Sequence, residues 1–381
     1  MKFPVGIQDF ESLIKDGYVY VDKTAYIYDL VNSGRYFFLS RPRRFGKSLL
    51  ITTLESYFSG KKDLFKGLAI EKLEKDWTEY PVLHLDLNDE DYTQETAVTS
   101  VINRALVNWE EIYGSKDSEN TLSGRFSGII KRAYKKTAKK VVVLIDEYDK
   151  PLITTFDNPY LQNLYRAQLK AFYSVLKTMD GSLKFALLTG VTKFSKVSIF
   201  SDLNNLKDIS MDENYVKLCG MTYEEIVANF DEEVGKMSDK HGITKEECYA
   251  QLKQMYDGYH FCENTEGIYN PFSVVNALDE KKFKNYWFET GTPTMLVQVM
   301  KACSFNFNDL EGSQITPDLL GSIDAMDETP LPLLYQTGYL TIEGYDKEFN
   351  EYSLNFPNKE VKSGFVNFLA RFYRQKGAGS E

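Results

Sequence analysis

Four cysteines and three histidines are too few, and too scattered, for a metal centre or a disulfide framework. Cys219, Cys248, Cys262 and Cys303 form no C-x-x-C pair, and no histidine stands at ligand spacing from them. Reduced thiols and no structural zinc are therefore expected. Positive charge is also in short supply: the formal net charge is −10, which argues against a broad basic surface for nucleic acid and leaves room only for a local patch. No run of 18 apolar residues occurs, and the opening Met1-Lys2-Phe3-Pro4 has no signal-peptide core. The expectation is no membrane span and a cytoplasmic location. Internal repeats and low-complexity tracts are missing. What the chain has in excess is aromatic side chains, 26 Tyr and 25 Phe, so aromatic-rich packing is expected. Its 381 residues exceed what one core usually holds, and two or three domains are the prior.

Short apolar runs alternate with helical-period segments over roughly the first 210 residues, the pattern of a parallel α/β sheet. Strands are predicted at Tyr36–Leu39, Val82–Leu87, Val141–Ile145 and Phe185–Thr189, and more weakly at Leu206–Ile209. Leu50, Leu54, Tyr57 and Phe58 share the apolar face of a helix that begins at Lys47 and stops at Gly60. A second helix is predicted over Tyr160–Met179. Beyond 215 strand signals vanish, and helices are expected to start at Thr222-Tyr223-Glu224-Glu225 and within the charged stretch Asp279–Lys284. From about Pro330 the order is a short helix, a strand at Tyr339–Ile342, a turn at Gly344, a strand at Tyr352–Phe356 and a helix from Asn358. Helix, hairpin, helix suggests a winged-helix-like module.

The predicted strand Tyr36–Leu39 and Ser40 run into Arg41-Pro42-Arg43-Arg44-Phe45-Gly46-Lys47-Ser48, and these eight residues with Leu49 are the expected nucleotide-binding segment. Unpaired N–H groups at a helix N-terminus carry partial positive charge and can wrap a phosphate where a glycine lets the chain approach. Gly46 supplies that access, Lys47 would reach the β- and γ-phosphates, and the Ser48 hydroxyl would take a Mg²⁺ position. The motif G-x-x-x-x-G-K-[ST] asks for glycine where this chain has Arg41, so the backbone there must suit a non-glycine residue. Arg43 and Arg44 either contact phosphate, in this subunit or a neighbouring one, or face solvent.

Val141–Ile145 runs into Asp146 and Glu147 at the C-terminal edge of the sheet, where ligands of such sheets bind. Asp146 would hold the Mg²⁺ shell and Glu147 would polarise the attacking water. The alternative is a solvated acidic turn containing Asp149 and closed by Pro151. The two half-sites lie about a hundred residues apart with a strand between them, which suggests the ASCE group of P-loop ATPases. Thr189 ends the next strand and is a γ-phosphate sensor candidate or a plain strand end. In Thr192-Lys193-Phe194-Ser195 a serine replaces the acid of the guanine-reading [NT]-K-x-D pattern, which favours ATP over GTP.

Several stretches together resemble the bacterial AAA-ATPase-like family, whose members are often joined to a PD-(D/E)XK nuclease-like domain. They are Pro4–Phe10, Tyr20-Val21-Asp22-Lys23-Thr24, Arg41–Ser48, Leu144–Asp149, Leu188–Ser195, Tyr256-Asp257-Gly258-Tyr259-His260-Phe261 and Gln336–Thr341. In that family a loop of the RPRRFGKS type is usual. The resemblance implies a P-loop ATPase core (residues 1–215), a helical lid (216–314) and a winged-helix-like module (315–376). In longer relatives a nuclease-like domain follows that these residues do not contain. Residues 377–381 read as a flexible tail, an expression-derived end or a linker cut short. Asp22 is either a helix N-cap or a contact to the adenosine, and the Tyr256–Phe261 stretch has no derivable chemistry.

The resulting expectation is a Mg²⁺-dependent ATPase acting as a nucleotide-driven switch, with Glu147, Lys47 and Thr189 in its chemistry. Two readings compete with it. One is a nucleotide-holding interaction module without appreciable turnover. The other is a DNA- or RNA-binding protein using the winged module and its basic residues Lys359, Lys362, Arg371 and Arg374. A nucleic-acid or nuclease-like partner and the oligomeric state stay open.

Overall fold

The computed structural model describes residues 1–194, 203, 205–290, 296–297, 309–323 and 329–377. Five strands, β1 (Tyr36–Ser40), β2 (Val82–Asp86), β3 (Val141–Asp146), β4 (Leu183–Gly190) and β5 (Lys207–Asp208), form a parallel sheet in the order β2-β3-β4-β1-β5. All five correspond to strands expected from the sequence. Alternation along them separates two apolar clusters, because successive side chains point to opposite faces. Tyr36, Phe38, Val141, Val143, Ile145 and Leu188 face the helices Ala97–Tyr113, Leu122–Thr137 and Pro159–Tyr173. Phe37, Leu39, Val142, Leu144, Phe185 and Leu187 face the helices Thr24–Ser33 and Lys47–Phe58. Both faces are covered, which is why β3 and β4 read as unbroken apolar runs.

The second cluster continues into the C-terminal part of the chain through Trp287, Leu334, Tyr339, Val361 and Phe365. There β6 (Ser313–Ile315), β7 (Thr341–Asp346) and β8 (Glu351–Asn355) form an antiparallel sheet in the order β6-β8-β7, followed by the helix Lys359–Gly377. By contrast, Met221, Phe230, Val234, Met237, Leu252, Tyr256, Val274 and Leu278 make a separate apolar cluster, and Phe3, Val19 and Val21 of the N-terminal segment pack on it.

Three local expectations need correction. Asp279–Lys284 closes a helix instead of starting one. The helix runs Pro271–Glu280, capped by the Asn270 side chain with proline in its first turn, and Lys281 ends it in a left-handed conformation. Gly344 lies inside β7 at a register shift, while the hairpin turns at 347–350, where the Asp346 carboxylate accepts from the Glu348 and Phe349 N–H groups. β6 was not expected at all, since three residues are too short for periodicity to show. The start at Thr222 is as expected, with a reciprocal capping box between Thr222 and Glu225.

Candidate functional site

The C-terminal ends of β1 and β3 carry the two chemical segments, and β4 lies between them. After β1 the chain turns through Arg44 (φ 67°) and Gly46 (φ 95°), both left-handed, and enters the helix at Lys47. A side chain at Gly46 would stand in open space, so glycine is there for its backbone angle and for bare access to what lies above it. Arg41 has no positive φ, which accounts for a non-glycine residue at the first motif position. Lys47 is buried, and its ammonium group donates to the carbonyl oxygens of Arg41 (3.1 Å) and Pro42 (3.2 Å) and lies 3.6 Å from Glu147 Oε1.

Glu147 follows β3 in a left-handed conformation at φ 53°, a cost an acidic residue bears only where its surroundings fix it. Asp146 is buried, and its Oδ1 accepts from the Glu147 N–H (3.0 Å) and from the Thr189 hydroxyl (2.6 Å). Thr189 is itself fully buried, so it meets the acidic pair through Asp146. Asp149 is fully buried and accepts from the Thr192 N–H (2.6 Å), the Thr192 hydroxyl (2.7 Å) and the Val191 N–H (3.1 Å). Burial first, and the Glu147 charge second, push its carboxyl up to about 7.

Arg43 through Leu49, Glu147, Asn88 and Lys150 line a cavity of about 380 Å³, the size of a small-molecule site. Apolar side chains of the N-terminal segment (Pro4, Val5, Ile7, Val19, Val21) and Phe230, Phe272 and Val275 of the helical part share its wall, and the Arg44 guanidinium lies 4.9 Å from the Phe272 ring. Lys23 stands in its wall, with its ammonium group 2.6 Å from both Glu225 oxygens.

Arg41 and Pro42 face the other way. They line a separate small cavity with Phe261, Tyr335 and Gln336. The Arg41 guanidinium donates to Ser40 O (2.9 Å) and Ser210 O (2.6 Å) and stacks 4.0 Å from the Phe261 ring. Asp22 lies one residue before Lys23, the N-cap of the helix Thr24–Ser33; its Oδ1 accepts from the Thr24 N–H and hydroxyl, and its Oδ2 from the Ala69 N–H. The carboxylate is thereby engaged with the chain itself, although the N-cap position belongs to Lys23 and not to Asp22. Ser195 lies outside the described residues.

Contacts that sequence reasoning missed hold the far side of the loop. The Trp287 indole donates to Arg43 O (3.0 Å), and the Gly220 N–H donates to Phe45 O (3.0 Å). Phe45 is buried edge-on against Tyr259 (4.8 Å) and Phe261 (5.7 Å). Gly338 (φ 91°) sits where a Cβ would be 2.8 Å from Pro42 Cβ. The Gln336 side chain accepts from the Lys193 N–H (2.7 Å) just past β4 and donates to Leu320 O (2.9 Å). The aromatic-glycine stretch at 256–261 and the Gln-Thr-Gly-Tyr at 336–339 thus grip the loop. Asp86, in register beside Asp146 at the end of β2, is a further acid at this edge, and its signal was an acid closing an alternating strand.

A family model described as a predicted AAA-ATPase matches residues 4–200. A protein of Azotobacter chroococcum mcd 1, described as an uncharacterized protein in the vnfD 5' region, is 37% identical over 376 residues, covering 98% of this chain and 70% of that protein. No solved structure matches.

Proposed function

The chain belongs to the predicted AAA-ATPase family, and on that footing we propose that it binds and hydrolyses ATP with Mg²⁺. The observation that carries this reading is the 3.6 Å approach of Lys47 to Glu147 inside one cavity. It brings a phosphate-binding cation and a candidate water-activating base together from two strands with a third between them. The donor set suits the groups inferred. Gly46 and the first N–H groups of the helix Lys47–Phe58 suit a polyphosphate, and the hard oxygens of Ser48 and Asp146 suit Mg²⁺. Bound there, Mg²⁺ would neutralise charge on the phosphates. Lys47 orients the terminal phosphates, Glu147 draws a proton from the attacking water, and Thr189 holds Asp146 in place through its hydroxyl. The apolar side chains in the cavity wall suit the base.

In this reading residues 1–215 are the ATPase core, 216–314 a helical lid and 315–376 a winged-helix-like module. The apolar cluster from Met221 to Tyr286, on which Phe3, Val19 and Val21 of the N-terminal segment pack, gives these helices a core of their own. Closure around the nucleotide would make the protein a switch acting on a nucleic-acid-directed or nuclease-like effector. Single-turnover hydrolysis tests it. Glu147→Gln is expected to retain Mg-ATP while its hydrolysis rate falls by about two orders of magnitude or more. Asp146→Asn should in addition weaken the Mg²⁺ dependence. Tight binding with no turnover in the unaltered chain would leave a nucleotide-holding module. Hydrolysis by Glu147→Gln at the unaltered rate would remove Glu147 as the base.

A further inference from the structure

Glu147 needs something to hold it in its left-handed turn, and the residues on its C-terminal side do so. Tyr148 donates its N–H to Thr189 O (2.9 Å), carrying the pairing of β3 and β4 one step past the strand. Its phenol, fully buried, donates to Thr192 O (2.7 Å) and accepts from the Phe194 N–H (3.1 Å), and its ring stands edge-on to Phe38 of β1 at 5.3 Å. Asp149 gathers two backbone N–H groups and a hydroxyl from Val191 and Thr192. β4 has been left bare to admit the pair: a Cβ on Gly190 would stand 2.5 Å from Asp149 Oδ1 and 2.6 Å from Tyr148 Cδ1.

We propose that Asp149 is a positioning residue, whose carboxylate, clasped by Val191 and Thr192 beside a side-chain-free Gly190, fixes the turn that presents Glu147 to Lys47. The proposal rests on the ATPase reading for its kinetic consequence, but not for its structural one. Asp149 does not line the cavity, so its effect passes through Glu147. The Thr192 N–H, the Thr192 hydroxyl and the Val191 N–H converge on Oδ2, while Oδ1 takes a longer 3.3 Å share of the Val191 N–H, so an asparagine that keeps its oxygen in the Oδ2 place sets its amide nitrogen against the Val191 N–H. The Glu147 turn should then loosen without any change in the phosphate loop.

The test is Asp149→Asn in the full chain, in the unaltered and Glu147→Gln backgrounds. The expected result is a fall in kcat of about tenfold to a hundredfold in the first background, ATP affinity by calorimetry within about threefold, and no further fall in the second. Without nucleotide, amide exchange should speed up at Tyr148, Val191 and Thr192 while Val142–Ile145 stay protected. Equal fractional losses in both backgrounds, or unchanged exchange at Tyr148, would overturn the proposal. Should Asp149→Asn fail to fold, Thr192→Val removes one donor to the same oxygen and is expected to show the same background dependence on a smaller scale. If the unaltered chain does not hydrolyse ATP, the ATPase reading fails, and the exchange measurement alone decides whether Asp149 fixes the turn.

Discussion

The side of the Arg41–Ser48 loop that faces the cavity and the side that faces the C-terminal segments follow different rules. On the cavity side Gly46, Lys47 and Ser48 meet Glu147 across a space bounded by charge and hydrogen-bonding groups. On the other side Arg41, Pro42 and Phe45 are buried in an aromatic socket made by Tyr259, Phe261, Trp287 and Tyr339. Burying a residue such as Phe45 stabilises by about 1.5–3 kcal/mol, and each edge-on ring pair adds about 0.5–1.5 kcal/mol. One face is arranged for a ligand and the other for permanence. A loop that must hold its shape without glycine at its first position obtains that shape from residues more than two hundred positions away.

Breaking the cavity side alone should give the largest change in binding. Lys47→Ala removes the cation together with its bonds to the Arg41 and Pro42 carbonyl oxygens, and ATP affinity by calorimetry is expected to fall by about a hundredfold or more. Comparable affinity in a folded variant would mean that the loop does not hold phosphate.

Breaking the socket side should couple stability to binding. Gly338→Ala places a methyl against Pro42 and forces a left-handed angle on alanine, with an expected cost of about 1–3 kcal/mol in denaturant unfolding. Because Pro42 O is a partner of Lys47, ATP affinity should fall too, by less than in Lys47→Ala. Lost stability with unchanged affinity would show the two sides to be independent.

The smallest effect sharpens the comparison through pH. Glu360 is buried, and burial pushes its carboxyl up to about 7 although it accepts from Ser273 Oγ (2.8 Å) and the Trp287 N–H (2.6 Å). A carboxyl raised on folding contributes stability that is complete below its unfolded value of 4.5 and is lost as pH rises through about 7. Between those limits the unaltered chain should lose on the order of 2 kcal/mol relative to Glu360→Gln. Urea unfolding at several pH values measures this, and parallel curves would exclude Glu360 as the group responsible.

The same comparison explains what could be read in advance. The five parallel strands, the helix starting at Lys47 and the acids after β3 were legible because each depends on neighbours in the sequence: alternation, a glycine before a helix, an apolar run ending in carboxylates. The socket was not, because Gly338 has meaning only once Pro42 is beside it, and the Tyr256–Phe261 stretch only once Phe45 lies between its rings. Arg41 illustrates the limit. Its position in the motif placed it with the phosphate contacts, whereas its guanidinium turns to the carbonyls of Ser40 and Ser210. Local pattern locates a residue along the chain but does not say which side of a loop its side chain takes.

The place of β1 in the sheet also bears on how the molecule is made. Its hydrogen-bonded neighbours are β4 and β5, and both lie far downstream of it in the chain. While the polypeptide leaves the ribosome, Tyr36–Ser40 therefore waits with both edges unpaired through the synthesis of β2, β3 and the helices between them. Closing so long a loop makes this seam slow to form, and an apolar strand with open edges is the kind of segment that draws misassociation in the interval. A chain released before Gly190 would carry the entire Arg41–Ser48 motif without the complete strand β4 that holds β1 in the sheet.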